Sequence, residues 1–424
     1  MQTVYIVLIL LMTLTSPICE SSSISYLALL LPLMFIGKSE YLLSLILFSS
    51  CVFYRVPPGI PISPILIILY VLSVIIAERI NKRQYYINIS LLIGFLLAIG
   101  YIFYSCKTSI TGSFAPIDKF LAFFLLIYIS IYNKSCNVSL LQKLLLITSL
   151  IAIPYIVLRL TLFPYIYIDR PTLSSTINAN VVVRGLSVMI IMIFISRNIA
   201  LKGVPNYIKY IVIILGIWGI FITGSRMGII ATIFAMVVVL YLNSEKKNKK
   251  IKNTFGLIVV ALAGMFVLSS FDVNLGRLEA GLSKEAIEND PRMFSAIILW
   301  NEAISKNFFT GIGLGSENSE TILTYVPDAD NFFVDLLTQV GVIGLSIVVI
   351  LLVSSTRKLF KYRKKYNLRF DAIALPISVI VLFVPFMFSE TVFDEIFIWF
   401  FIAITNIYAN SIKSKKYVGV NSCS

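Results

Sequence analysis

The stretch "YIKYIVIILGIWGIFITGSRMGIIATIFAMVVVLYL", residues 207–242, decides the fold class. It is apolar almost throughout, yet Arg226 sits near its middle. A charge at the centre of a bilayer costs about 2.5–3.5 kcal/mol even on the lenient insertion scale. The run is also too long for one span, which needs about 20 residues. Two helices joined at Thr223-Gly224-Ser225 resolve both problems. Arg226 then opens the second helix at a membrane surface, with Thr223 or Ser225 as its cap. The capped amides and the guanidinium would face an anion together, or the arginine would snorkel to lipid phosphates.

Runs of this kind recur along the chain, near 4–18, 25–37, 41–54, 63–77, 86–105, 117–132, 140–162, 179–195, 253–270, 333–355, 372–388 and 391–410. With 58% hydrophobic and 13% charged residues, no soluble core could bury them. The chain reads as an all-α polytopic membrane protein of about 12–14 transmembrane helices. The runs at 25–37 and 41–54 are short enough for a re-entrant hairpin. A β-barrel is excluded because its strands would alternate polar and apolar residues. The first run lacks a basic flank and reads as a retained helix, not a signal peptide.

Basic clusters at Arg79-Lys82-Arg83, Arg197-Lys202, 245–252, 357–369 and 413–416 alternate with poorly basic loops. Placing them all in the cytoplasm puts both termini there. The protein is then divided into membrane helices over 1–270, a large periplasmic loop over 271–332, and membrane helices with a basic cytoplasmic tail over 333–424. The inner face would carry +20 and the outer face −6, which together make the formal +14. Basicity of this kind reflects topology and contact with membrane lipids, not nucleic acid. The outer cations are seven arginines and four lysines, whereas lysine dominates inside. Arginine's planar fork suits carboxylate or phosphate.

The chain has no histidine, and its five cysteines are scattered. His-ligated zinc, a Ser-His-Asp triad and a thiolate metal site are thereby excluded. In the outer loop, "NDPRMFSAIILWNEAISK" (289–306) predicts an amphipathic helix capped by Asp290. Met293, Ile297, Trp300 and Ile304 share its apolar arc, and Arg292, Ser295 and Glu302 the polar one. "TGIGLG" (310–315) lacks the context of a phosphate-binding loop and reads as a tight turn. "PDADNFFVDLLTQVGVIGL" (327–345) enters the next span, with Asp330 or Asn331 as its cap and Asp335 one turn inside.

The succession "TGSRMG", "PRMFSAIILWNEAISKNFFTGIGLG", "DNFFVDLLTQVGVIGL" resembles the O-antigen ligase/polymerase superfamily of membrane glycosyltransferases. "STINANVVVRGLSV" (175–188) resembles the asparagine-containing helix start found upstream in that superfamily. The resemblance covers about residues 175–345. It implies a GT-C-like fold and action on undecaprenyl-diphosphate-linked oligosaccharide at the periplasmic face of a bacterial inner membrane. It implies no metal or cofactor, and it admits a chain-length regulator protein as a partner. Where ligases carry His-Asn, this chain has Asp330-Asn331, which favours the polymerase branch. Ligation to lipid A–core and flipping of the lipid-linked unit are the alternatives. Catalytic roles are expected for Arg226 and Arg292, two outer-face guanidiniums for one diphosphate, and for Asp330, which stands where the ligase pattern has its histidine. The resemblance implies substrate contacts for Arg170, Arg184, Asn178, Asn180, Ser225, Asn331 and Trp300, with Glu302 and Asp328 next in line as base.

Overall fold

The computed structural model describes residues 1–15, 30–52, 55–56, 60–80, 89–109, 117–167, 170–173, 179–201, 203–243, 299–305, 307–314, 331–368, 370–387 and 396–414. Twelve α-helices lie among the described residues: α1 (Gln2–Thr15), α2 (Ser39–Cys51), α3 (Ser63–Ile80), α4 (Ile89–Thr108), α5 (Ile117–Tyr132), α6 (Val138–Leu162), α7 (Ala179–Ile195), α8 (Asn206–Ile222), α9 (Arg226–Asn243), α10 (Phe332–Lys365), α11 (Ala374–Met387) and α12 (Ile396–Lys413). Six are long and apolar enough to cross a membrane, and the other six are shorter apolar helices. The chain is an all-α polytopic membrane protein. The expected run at 253–270 lies outside the described residues. Two short antiparallel hairpins complete the architecture, β1 (Arg55–Val56) with β2 (Ile60–Pro61) and β3 (Tyr165–Tyr167) with β4 (Arg170–Thr172).

Of the 25–37 run, residues 30–37 are described, and Leu31–Phe35 form a 3₁₀ turn with Pro32 near its start. The run expected at 333–355 is longer than its apolar stretch, because α10 continues through the basic residues to Lys365. Lys and Arg are good helix formers, so nothing in that sequence stops the helix before Asn367, whose φ is +48°.

Burial sorts the helices. The α12 span is 94% buried and forms the centre, whereas the α4 span is only 22% buried and faces outward. Helices approach closely where side chains are small. Gly216 of α8 faces Ile190 and Ile153, and Gly219 faces Val157 and Leu186, so α8 lies against both α6 and α7. Deep in the bundle, the Tyr5 hydroxyl meets Ser44 Oγ at 2.5 Å and Thr148 Oγ1 at 2.7 Å, which ties α1 to α2 and α6. A polar group without water must find such a partner, and three hydroxyls satisfy one another here.

The helix ends fall into two sets. At one, the turn 133–137 between α5 and α6 is gripped from all sides. Glu78 Oε1 accepts from Lys134 N at 3.0 Å, Glu40 Oε1 from Asn137 N, and Asn410 Nδ2 donates to Ile131 O at 2.7 Å. Lys358 Nζ donates to Asn410 Oδ1 at 3.1 Å. This gathers the start of α2, the ends of α3 and α12 and the late part of α10, and with them Arg79, the 357–365 run and Lys413. We term it the basic end. At the other, the loop end, Cys51 Sγ lies 3.8 Å from Gly185 O, and α4 ends beside the start of α10. The basic clusters of these helices thus fall together, as their alternation along the chain predicts.

Candidate active site

The turn between α8 and α9 is at the loop end, and the two-helix reading of 207–242 holds. Thr223 Oγ1 donates back to Ile220 O at 2.7 Å and closes α8. Gly224 turns the chain at φ +66°, a conformation that glycine adopts without strain. Ser225 is buried, and its Oγ accepts from Gly228 N at 3.3 Å, capping α9. Arg226 is the first residue of α9. Of the two capping candidates, Ser225 serves α9 and Thr223 the helix before it.

Helix α7 runs alongside. Gly228 of α9 faces Val183, and Thr232 Oγ1 donates to Ser187 Oγ at 2.8 Å. These contacts set Arg184 of α7 one turn inside the Ser225 cap, beside the first turn of α9. Arg184 is 3% exposed, and its guanidinium carbon lies 5.9 Å from the ring centroid of Phe386, in the last turn of α11. An arginine turned into a membrane helix bundle is expensive and marks a functional position by default. Asn180 is half-buried in the first turn of α7. Arg170 lies on β4, paired with Tyr167 of β3. Arg159 holds the chain leaving that hairpin, with Nη2 donating to Leu173 O at 3.2 Å.

A second group forms at the start of α10. Asn331 is its cap, and Oδ1 accepts from Phe333 N at 3.0 Å and Val334 N at 3.2 Å. Asp335 is buried one turn further on, and Gln339 Nε2 donates to its Oδ1 at 2.7 Å. The helix then breaks at Gly341, where φ is +60° and ψ −169°. Opening a helix inside a membrane frees backbone groups that must be paired again. The glycine-rich segment pairs them. Ile312 N donates to Thr338 O at 2.8 Å, Gly313 N to Gln339 O at 3.0 Å, Val342 N to Phe308 O at 2.9 Å and Ile343 N to Phe309 O at 3.2 Å. Tyr101 Oη adds a bond to Val340 O at 2.6 Å, and Ser105 Oγ accepts from Leu314 N at 3.1 Å. The amides of 312–314 are thereby committed to protein acceptors, so this segment is a joint and not a phosphate cradle. It is also more than the tight turn that its glycines predict.

Trp300 begins a π-helical turn over Trp300–Ile304 that packs on α10, closed by Ser305 N donating to Trp300 O at 2.8 Å. Ile304 is buried as its arc predicts, but Trp300 is 50% exposed. A π turn advances fewer degrees per residue than an α turn, so the apolar arc cannot keep its 3.6-residue spacing through it.

Arg184 of α7 thus lies beside the first turn of α9, which Ser225 caps, and Trp300 opens a turn packed on α10, which Asn331 caps. Helices α11 and α12 connect the two groups, since α11 packs on both α7 and α9 and α12 packs on α10. Asp330, Arg292, Asn178, Asp290 and Asp328 lie outside the described residues. Sequence reading missed Tyr101 and Ser105, which stand in an apolar helix with nothing to single them out. It placed Asp335 but not its pairing with Gln339, although a spacing of four residues puts both on one face.

No curated protein matches the chain. Residues 211–349, about a third of its length, match the family described as O-Antigen ligase. The match begins in α8, takes in the capped turn, α9, the glycine-rich joint and the broken helix, and ends in α10 beyond Gly341. The stretch that contributes Ser225, Trp300 and Asn331 at the loop end is therefore similar to that family, and the match lies within the part of the chain that resembles the O-antigen ligase/polymerase superfamily.

Proposed function

We propose that the protein is a membrane glycosyltransferase that polymerises oligosaccharide repeat units carried on undecaprenyl diphosphate. The loop end faces the periplasm and the basic end the cytoplasm. The family match is common to ligases and polymerases, so a feature of this chain must separate them. That feature is the residue before the Asn331 cap, which is Asp330 in a chain without histidine.

In the proposed reaction, the acceptor sugar's hydroxyl oxygen attacks the anomeric carbon of the donor unit. A new C–O bond forms there as the bond to diphosphate breaks. The electron pair leaves with the diphosphate, and the hydroxyl proton passes to a carboxylate, for which Asp330 is our candidate. Guanidiniums stabilise the departing charge best where water is scarce, a role that suits Arg226 and Arg292 and that the buried Arg184 supports. Energy comes from the donor's own diphosphate linkage, so the reaction asks for no nucleotide.

A deletion strain tests the assignment on a polysaccharide gel. Loss of the ladder, with single repeats retained on lipid A–core, is the expected result. Polymer accumulating on the carrier, with no repeats on lipid A, means a ligase. Units stranded at the cytoplasmic face mean a flippase. For the base, Asp330→Asn removes charge while keeping size, and single-repeat product at normal protein levels is expected. A full ladder from that variant would move the role to Asp328 or Glu302.

A further inference from the structure

The reaction proposed above leaves one groove between the helices unused. Between the late part of α10 and helices α11 and α12 lies an apolar groove of about 510 Å³. Its wall is hydrocarbon, with Leu352, Val353 and Phe360 on α10, Phe383 and Val384 on α11 and Phe401 on α12. The hydroxyls that border it are turned away. Thr356 Oγ1 donates to Leu352 O at 2.8 Å, Thr405 Oγ1 donates to Phe401 O at 2.7 Å, and Ser355 Oγ accepts from Asn406 Nδ2 at 2.9 Å. Val353, Phe360 and Val384 are exposed, so the groove opens sideways to the bilayer.

Among the described residues, one charged side chain lines it. Arg357 is exposed and adjoins Lys358, whose ammonium is bound into the polar hub by Asn410. Arg363 is likewise engaged, with its guanidinium carbon 3.4 Å from the Phe370 ring centroid. Arg357 is thus a cation set at the basic-end lip of an otherwise hydrocarbon slot. The stretch of α10 in the wall, Leu352 to Phe360, rises about 12 Å, and on α11 and α12 the wall runs on toward the loop end as far as Met387 and Ile398. Starting from Arg357, the slot therefore leads inward by about one leaflet's share, about 15 Å, of a hydrocarbon core about 30 Å thick. The long isoprenoid tail of a carrier lipid would overrun it.

We infer that this groove holds one acyl chain of an anionic phospholipid from the leaflet at the basic end, with the lipid phosphate on Arg357. Basic pockets between membrane helices bind such headgroups, and the exposed Lys361, Lys364 and Lys365 beyond the lip add to the local potential. The inference stands apart from the reaction proposed above and survives if that reaction is wrong.

The test is native mass spectrometry on delipidated, detergent-solubilised full-length protein, titrated with phosphatidylglycerol, phosphatidylcholine or an isoprenoid phosphate. Wild type should retain one phosphatidylglycerol at least about fivefold more tightly than phosphatidylcholine. Arg357→Glu should abolish that preference. Val384→Trp, which fills the slot, should lower retention of both phospholipids, and Val353→Trp serves if the first fails to purify as a single species. Equal retention of phosphatidylglycerol by wild type, Arg357→Glu and a slot-filled variant would overturn the inference. So would tighter retention of the isoprenoid phosphate than of phosphatidylglycerol.

Discussion

The two ends of the molecule solve one problem in opposite ways. Each contains irregular backbone among tightly packed helices, and each must pair its amides and carbonyls. At the basic end, side chains do this. Glu40 of α2, Glu78 of α3 and Asn410 of α12 all reach for the 133–137 turn or its flank. Asn133 works from within, accepting from Cys136 N at 3.1 Å and donating to Tyr70 Oη at 3.1 Å. At the loop end, backbone pairs with backbone, as 308–313 lies along the opened turn of α10. The first arrangement requires particular polar side chains. The second requires their absence, since two backbones can meet only where no Cβ intervenes.

The contrast predicts which substitutions do most harm. A Cβ at Gly313 would collide with the Ser109 backbone, and one at Gly341 with the Phe309 backbone. Both glycines also have positive φ, at +102° and +60°. Overpacking costs about 1–3 kcal/mol and the left-handed conformation about 1–2 more. Gly313→Ala and Gly341→Ala should therefore each lose about 2–5 kcal/mol, read as a fall in Tm and in monodisperse yield in detergent. Gly100→Ala is the control, because a Cβ there meets open space within a helix. It should be neutral or stabilise by up to about 1 kcal/mol. If Gly313→Ala melts with wild type, the joint does not hold the loop end together.

The hub should yield smaller losses that interact. Glu78→Ala takes a charged acceptor from Lys134 N in a part-buried setting, at about 1–3 kcal/mol, and Glu40→Ala does the same to Asn137 N. Glu78→Gln keeps an acceptor oxygen and should cost less than Glu78→Ala. Because both carboxylates hold one turn, the double Ala variant should depart from additivity by at least about 0.5 kcal/mol. Strict additivity in thermal melts would mean that the two grips are independent, and the hub would be no unit.

How much of this was legible follows from the same contrast. The two-helix reading of 207–242, the Ser225 cap and the Asn331 cap rest on local rules, since length, charge cost and capping act within a few residues. The hub was not legible, because Glu40 and Asn137 are far apart in sequence and only packing unites them. The break at Gly341 was hidden in a run that is apolar and helix-compatible throughout, "LLTQVGVIGL". Its cause is tertiary, namely another backbone arriving to pair with it. Trp300 shows the converse, a periodicity that was present in the sequence but was carried off by a π turn. For the site, residue types at the loop end could be read from charge and resemblance, whereas the burial of Arg184 and the Asp335–Gln339 pair needed coordinates.

The smallest expected effect is the sharpest test of the comparison. Tyr101, with Ser105, is a side-chain contributor to a joint otherwise built from backbone. Its hydroxyl donates to Val340 O at 2.6 Å, with Thr310 O also within reach at 3.3 Å. Tyr101→Phe removes that hydroxyl and leaves the ring, which stacks on Tyr104 at 6.2 Å between centroids. The four backbone bonds between 308–313 and α10 remain, so the segment stays docked. The loss should be that of one hydrogen bond, about 0.5–1.5 kcal/mol, seen as a modest fall in Tm with unchanged yield. Gly313→Ala attacks the backbone pairing itself and should cost more. If Tyr101→Phe instead matches Gly313→Ala, the hydroxyl is the keystone of the broken helix. Both ends would then depend on side chains, and the difference between them would be one of composition alone.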